Sequence, residues 1–411
     1  MKRVFCVCTE ASGDLLLSKC IQAIQAYKQT IEWLGIVGPL CAALGVKILM
    51  DARTLNGHGF IEVLPVIPKA FIAKRLIESY LDEIDLVILC DSPEINLRIV
   101  PKLDQKKIPY VYLAPPQIWA WRSNRIKILS NAKAIGCLFP FEQAFYQKSF
   151  DQCLSKASQS VFQIGHPILD TVEAFADQSS PSKRYQNRIL DLKTSDSIKI
   201  ALFPGSRKSS FQQLIKCMLK IASISQTLLE NNDLPQVRDL NQRKMEWHIC
   251  ISPWLPTDFV DTILNQTLKQ QSPQLNLVFH SNVKDCLDST HFALSCIGTV
   301  NLEIALLGMP QICLSPLQIF SDIIAKTFVN VPFASLVNLC LNQKAFDEFY
   351  LPQIESAKIA RLLLAQVQQM LVNESKSHQF AFDALPKSIS KLDFSDLIMA
   401  ILHIFSNDSS S

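Results

Sequence analysis

Carboxylates, an arginine and a histidine stand just after short apolar runs in this chain, and that placement makes them candidates for chemistry. Glu10 and Asp14 bracket Ser12-Gly13 after the run Val4–Cys8. Asp91 follows Leu86–Cys90 and opens the stretch Asp91-Ser92-Pro93-Glu94-Ile95-Asn96. A carboxylate held between an apolar run and a proline turn can act as a general base; it can equally cap the turn. Gly205-Ser206-Arg207-Lys208 combines a glycine loop, a hydroxyl, two cations and a helix start. Backbone N–H groups at such a helix start favour an anion, and arginine adds a bidentate grip, although an ordinary strand-to-helix turn looks similar. Gly298-Thr299 opens a second such helix, with Glu303 expected in its first turn. That carboxylate would accept from a ribose or a base, or simply complement the helix N-terminus. Pro115–Arg122 gathers Gln117, Trp119, Trp121 and Arg122 into a proline-stiffened loop, and His166 follows Val161–Ile164 and Gly165.

The elements that must position these residues are legible as short continuous apolar runs, the pattern of parallel strands buried on both faces. Beyond those named, the runs are Tyr110–Ala114, Ala134–Phe139, Ile200–Pro204, Trp247–Ile251, Leu275–His280, Phe292–Ile297 and Gln311–Leu314. Amphipathic stretches of helical length alternate with them, including Leu15–Tyr27, Ile72–Glu83, Phe211–Leu228 and Lys358–Leu371. Strand–helix alternation predicts an α/β protein with parallel sheets. The unit strand–glycine loop–helix opens twice, so two Rossmann-like doubly wound domains facing across a cleft are expected. Their predicted bounds are 1–170 and 194–370, with a polar linker at 171–193 and a helical C-terminal segment at 371–411 that returns to the first domain or exchanges between subunits. Glu230–Lys244 reads as a surface insertion. Ligands of such sheets bind beyond the carboxyl ends of the strands, where the candidate residues fall.

Composition narrows the function classes. At 411 residues, the chain exceeds what one core usually serves. Forty basic against 37 acidic residues leave a net charge of +3, which gives no reason to expect nucleic acid. No apolar run reaches the ~18–20 residues of a membrane span, and the N-terminus turns polar at Thr9, which predicts a cytosolic protein. Thirteen cysteines with no C-x-x-C spacing, mostly inside apolar runs, read as structural thiols. No D-x-D occurs, so a common carboxylate pair for a divalent metal is missing. Neither metal nor cofactor is expected.

Taken in order, these segments resemble the lipid-A-disaccharide synthases. The matching motifs are Glu10–Asp14, Gly38-Pro39, Gly59–Leu64, Asp91–Asn96, Pro116–Arg122 with Arg125 and Lys127, Phe139-Pro140-Phe141-Glu142, Gly165-His166-Pro167, Pro204–Arg207, and Gly298-Thr299 with Glu303. Nine motifs in register are specific where each alone is weak. Departures from the pattern are Thr9, Leu17, Ser210, Phe211, Ile297 and Ser315-Pro316, most of them on the nucleotide side. The resemblance implies a GT-B glycosyltransferase that joins UDP-2,3-diacylglucosamine to 2,3-diacylglucosamine 1-phosphate with inversion, releasing UDP. It implies Asp91 as base with Glu10 and Asp14 as competitors. Acceptor contacts would come from Ser12, Gly13, Asn96, Gln117, Trp119, Trp121, Arg122 and His166. The nucleotide would lie against Gly205, Ser206, Arg207, Gly298, Thr299 and Glu303. Acylated substrates imply work at the cytoplasmic face of the inner membrane, through Phe60, Ile61, Val63, Leu64, Val66, Ile67, Lys69, Phe71, Lys74 and Arg75; a homodimer is allowed. Rival readings are a UDP-N-acetylglucosamine 2-epimerase, a lipid-carrier N-acetylglucosaminyltransferase, and a non-catalytic binder on the same fold.

Overall fold

The computed structural model describes residues 1–28, 30–55, 63–119, 123–153, 160–175, 179–231, 234–240, 243–269, 275–316, 333–351, 354–372 and 376–407. The chain divides into two compact units, the first built from Met1–Asp170 together with the C-terminal residues from Ile389, the second from the stretch between. In the first unit, seven parallel strands run in the order β3 (Lys47–Asp51), β2 (Ile31–Val37), β1 (Lys2–Val7), β4 (Leu86–Cys90), β5 (Tyr110–Leu113), β6 (Ala134–Cys137), β7 (Ser160–Gln163). In the second, six parallel strands run β10 (Leu277–His280), β9 (Lys244–Cys250), β8 (Ser197–Phe203), β11 (Phe292–Cys296), β12 (Gln311–Ser315), β13 (Asp347–Tyr350). Both orders reverse direction beside the first strand of the unit, at β1/β4 and at β8/β11. Such switch points are where doubly wound sheets bind ligands.

Continuous apolar runs are explained by cores on both faces of the sheet. Phe5, Val7, Val87, Leu89, Tyr110 and Tyr112 point to one face, where helix α3 (Val63–Tyr80) brings Ala73 and Ile77 and α4 (Pro93–Lys106) brings Ile95, Ile99 and Leu103. Val4, Cys6, Leu86, Ile88, Val111 and Leu113 point to the other, against Leu16, Leu17, Cys20, Ile21 and Ile24 of α1 (Ala11–Gln25). The C-terminal helix Ser395–Asn407 completes that second face with Leu397, Ile398, Ile401 and Phe405. Each fully buried side chain of this size contributes about 1.5–3 kcal/mol relative to exposure. Twelve cysteines with described side chains are free thiols, and among these twelve only Cys217 and Cys340 are not buried.

Three strands escape the apolar-run reading, and their positions explain why. Strands β3 and β13 lie at sheet edges, where one side is solvated, so Lys47 and Asp347-Glu348 are tolerated; β2 is interrupted by Glu32 and Gly35. The segment expected as a linker at 171–193 is largely helical: Ile168–Phe175 runs into it, and Pro181–Thr194 forms a helix capped by the Ser180 hydroxyl, which accepts the Lys183 N–H. That second helix belongs to the second unit. Its polar composition conceals a buried stripe of Tyr185, Ile189 and Leu192. Its Arg184 and Arg188 donate to the Leu306 and Thr290 carbonyls (both 2.7 Å), so charged side chains serve as inward anchors. The insertion at 230–244 docks as well, burying Leu234, Val237 and Leu240. Of the segment 371–411, Lys376–Ala384 stays with the second unit, and only the part from Ile389 joins the first.

Candidate functional site

At the β1/β4 switch point the two strand ends are tied together. Thr9 donates its N–H to the Ser92 hydroxyl (3.0 Å), and the two hydroxyls pair at 2.7 Å. Helix α1 begins immediately, capped at Glu10, which leaves the first N–H groups of Ala11, Ser12 and Gly13 at the strand end. Gly13 packs against Cys8 and Asp91; a Cβ there would meet theirs at 3.3 and 3.8 Å. Asp91 and Ser92 both adopt left-handed backbone, at φ 49° and 50°, a conformation that costs energy for residues with a Cβ. The surroundings hold it. Asp91 N–H reaches the Leu113 carbonyl (2.9 Å), and its own carbonyl accepts from Asn96 Nδ2 (2.7 Å) and the Tyr112 hydroxyl (2.6 Å). The result is a partly exposed carboxylate on a fixed, strained turn beside a helix start. Asn96 is fully buried and serves this turn through its amide.

Asp14 does something else. Its carboxylate is fully buried and accepts three backbone N–H groups, from Gly38 (3.0 Å) and Cys41 (3.3 Å) on Oδ1 and from Leu40 (2.9 Å) on Oδ2. It therefore caps the short helix Pro39–Ala42, and its lone pairs are spent on that turn. Of the three carboxylates expected as bases, Asp14 is thus the one held as a cap by backbone N–H groups. Motif spacing could not separate the three, because capping and catalysis both ask for a carboxylate after a strand.

Farther along the same unit, Pro115, Pro116, Ile118 and Trp119 are buried while Gln117 is exposed. Trp121 and Arg122 lie outside the described residues. His166 is 4% exposed, and burial pushes its pKa down to about 4. Its Nδ1 accepts the Ile168 N–H (3.1 Å), so the neutral ring carries its proton on Nε2 and can donate there. The neighbouring Gly165 has φ 74°, and a Cβ on it would strike the Lys391 carbonyl. The C-terminal strap passes directly over this position, with His166 N–H donating to the Ser390 carbonyl (3.0 Å).

At the β8/β11 switch point the two glycine loops lie side by side, since Phe203 pairs with Ser295 across the strand ends. Gly205 has φ 101°, which strains any side chain, and a built Cβ would crowd Ser210 Cβ and Cys296 Sγ at 3.0 and 3.2 Å. Helix α8 (Lys208–Glu230) starts after Arg207, and Ser206 is exposed at its mouth. The Cys296 thiol is pushed up to about 11 by burial, against the opposing pull of the Arg207 charge and a hydrogen bond from Ser210. The Arg207 charge thus acts at the end of β11, and the departure at Ser210 is accommodated as a partner of that thiol. Helix α11 begins at Thr299 and extends to Leu306, which places Glu303 one turn farther in than the expected first turn. It sits below Thr299 on the same helix face, and burial pushes its pKa up to about 7. Beneath, Ser295 donates to Gln311 Oε1 (2.5 Å), and Gln311 Nε2 donates to the Asn301 carbonyl (2.7 Å). Sequence reading missed this buried network; polar residues inside apolar runs were the signal.

On α3, Phe71 and Ile72 are each 54% exposed, Arg75 lies over the Phe71 ring at 4.8 Å, and Lys74 pairs with Glu78 at 3.7 Å. Phe60 and Ile61 lie outside the described residues, as do the side chains of Val63, Leu64, Val66, Ile67 and Lys69. Among the described residues no helix is long and apolar enough to cross a membrane, and no group of three or more His, Cys, Asp or Glu comes together as metal ligands.

Comparison with known proteins separates shared fold from shared family. A UDP-GlcNAc 2-epimerase from Neisseria meningitidis solved with UDP-GlcNAc superposes with a TM-score of 0.50 at 12% identity, covering 94% of this chain and 99% of that one. A trehalose-6-phosphate synthase superposes at 0.53 and 11%, covering 94% and 96%. At such identities they establish the two-unit α/β fold of GT-B glycosyltransferases and their kin, and nothing finer. Sequence relatives go further. The lipid-A-disaccharide synthase of Trichlorobacter lovleyi is 30% identical over 375 residues, 88% of each chain, and that of Syntrophus aciditrophicus is 28% identical over 389 residues, 92% of each. The profile of the family described as Lipid-A-disaccharide synthetase matches residues 4–393, from β1 to the strap over Gly165. With both switch points inside that match, the chain belongs to the lipid-A-disaccharide synthetase family of enzymes.

Proposed function

We propose that the chain transfers the 2,3-diacylglucosaminyl group of UDP-2,3-diacylglucosamine to the 6-hydroxyl of 2,3-diacylglucosamine 1-phosphate, in one inverting displacement. Formation of the lipid A disaccharide is the activity of its family; the assignment of roles below is ours. The acceptor O–H proton passes to the Asp91 carboxylate as the new C1–O bond forms, and the old C1–O bond breaks with its electron pair leaving on UDP. Arg207, with the backbone of Gly205 and Ser206 at the start of α8, offsets the diphosphate charge as it develops. Glu303, with Gly298 and Thr299, receives the ribose. On the acceptor side, the α1 start at Ser12 and Gly13, Gln117, Trp119 and neutral His166 surround the sugar phosphate, with His166 donating through Nε2. Trp121 and Arg122 of the same sequence motif are assigned as further acceptor contacts. Lys74, Arg75, Phe71 and Ile72 hold the enzyme to an anionic lipid surface.

The observation that carries this reading is the pair of switch points in a chain of this family: one built around a strained aspartate, the other around a glycine loop with arginine. UDP release by purified protein given the donor, with and without the acceptor, tests it. Acceptor-dependent release is expected, insensitive to EDTA because the sequence lacks D-x-D. Release without acceptor would instead favour an epimerase or hydrolase, and EDTA inhibition reversed by Mg²⁺ would overturn metal independence.

A further inference from the structure

Glu142 stands outside the roles assigned above, yet the structure spends a buried carboxylate on it. It is the third residue of α5 (Pro140–Cys153), 4% exposed. Its Oε2 accepts the N–H groups of Leu138 (3.0 Å) and Phe139 (3.2 Å), closing the turn from β6 into the helix. No cation compensates among the groups that act on it; Cys137 on β6 and Tyr146 on its own helix, the titratable groups facing it, stay protonated. A neutral side chain would satisfy the same turn at lower desolvation cost. Burial pushes the carboxyl up to about 7.

The turn it closes carries a row of rings. Phe139 and Phe141 stack at 5.4 Å with planes 6° apart. Beyond Phe139 lies His166 at 5.4 Å, and beyond Phe141 lies Trp119, edge-on at 5.0 Å and 81°. One helical turn along, the Tyr146 hydroxyl donates to the Pro116 carbonyl (2.5 Å), holding the Trp119 loop against α5. The buried Trp119 indole N–H has no acceptor at full hydrogen-bond geometry, and the group it acts on as a donor is the Glu142 carboxylate, which it pulls down against the push of burial. Two residues 47 positions apart in sequence, Trp119 and His166, are thus set by one ring row whose central turn Glu142 pins.

We infer that Glu142 is a positioning residue of the acceptor side, fixing the Leu138–Phe139 turn so that the row His166–Phe139–Phe141–Trp119 presents both of its ends to the acceptor. This rests on the acceptor assignment proposed above. The test compares Glu142→Ala and Glu142→Gln with wild type in steady-state UDP release on the full chain, varying donor and acceptor separately. Alanine should raise the acceptor KM by about tenfold, as a small misplacement does, with the donor KM within about twofold; glutamine should rescue it. Equal rises in both KM values, or none in an alanine variant that melts normally, would overturn the role. An activity-free readout accompanies this: the ¹⁵N-indole resonance of Trp119, assigned by its loss in Trp119→Phe. It should move with pH near 7 in wild type and stay still in Glu142→Gln, which also serves if the alanine variant does not fold. A resonance that titrates identically in both overturns the role whatever the enzyme's reaction. Absence of acceptor-dependent UDP release by wild type would overturn the proposed reaction instead.

Discussion

Asp91 and Asp14 stand at comparable places in the sequence, and the structure gives them different surroundings. Asp91 sits on a strained turn with its carbonyl held and its carboxylate partly exposed, so Asp91→Asn should lower kcat by ~10²–10⁴ while the melting temperature barely moves. Near-normal turnover would return the base assignment to Glu10. Asp14→Asn should do the reverse. An amide cannot accept three N–H groups and brings donors of its own, so stability should fall by about 1–3 kcal/mol with kcat preserved in the folded fraction; calorimetry and kinetics on one preparation separate the two. Buried titratable groups also predict a pH dependence. Glu142 is raised in the folded state to about 7, so its contribution is fully present below its unfolded value near 4.5 and is lost as pH rises through about 7. His166 and His378, both lowered to about 4, contribute stability that is present above 6.5 and lost as pH falls through about 4. The two effects oppose each other in the intact protein. The melting-temperature difference between wild type and Glu142→Gln isolates the first, and should shift against wild type as pH rises from 4.5 to 7.

At the scale of elements, two connections matter beyond the strands. The strap over Gly165 requires a residue without a Cβ, since φ 74° and the Lys391 carbonyl both exclude one. Gly165→Ala should cost about 1–3 kcal/mol and lower the melting temperature by several degrees; an unchanged melt would mean that the strap yields. Helix α3 turns Ala73 and Ile77 inward and leaves Phe71, Ile72 and Arg75 outward. Charge reversal of Lys74 and Arg75 should weaken binding to anionic vesicles more than to neutral ones, most visibly at low salt. Equal binding by the variant would exclude this helix as the lipid contact.

For the whole molecule, the last described helix belongs to the first unit although it follows the second in sequence. Leu397, Ile398 and Ile401 cover the same sheet face as α1. A chain truncated after Ser388 should therefore leave an apolar face bare and lower the melting temperature of the first unit, while the melt of the second persists. Two separate transitions in the truncated chain, with the first weakened, would show this in calorimetry.

By itself the sequence determined the strand–helix alternation, because strands buried on both faces must be apolar throughout, and it placed Asp91, Arg207 and Glu303 after strands, because glycine and proline mark where strands end. It also carried the family resemblance. Edge strands β3 and β13 were hidden, since a strand with one solvated side can hold charge. The helix Pro181–Thr194 was hidden because its inward anchors are arginines. Only the tertiary structure decided which carboxylate caps and which stays partly exposed. That choice depends on where Gly38, Leu40 and Cys41 bring their N–H groups, 24 to 27 residues away from Asp14. Only it joined Trp119 to His166 through Phe139 and Phe141, because ring contacts between separate strand ends leave no period in a sequence.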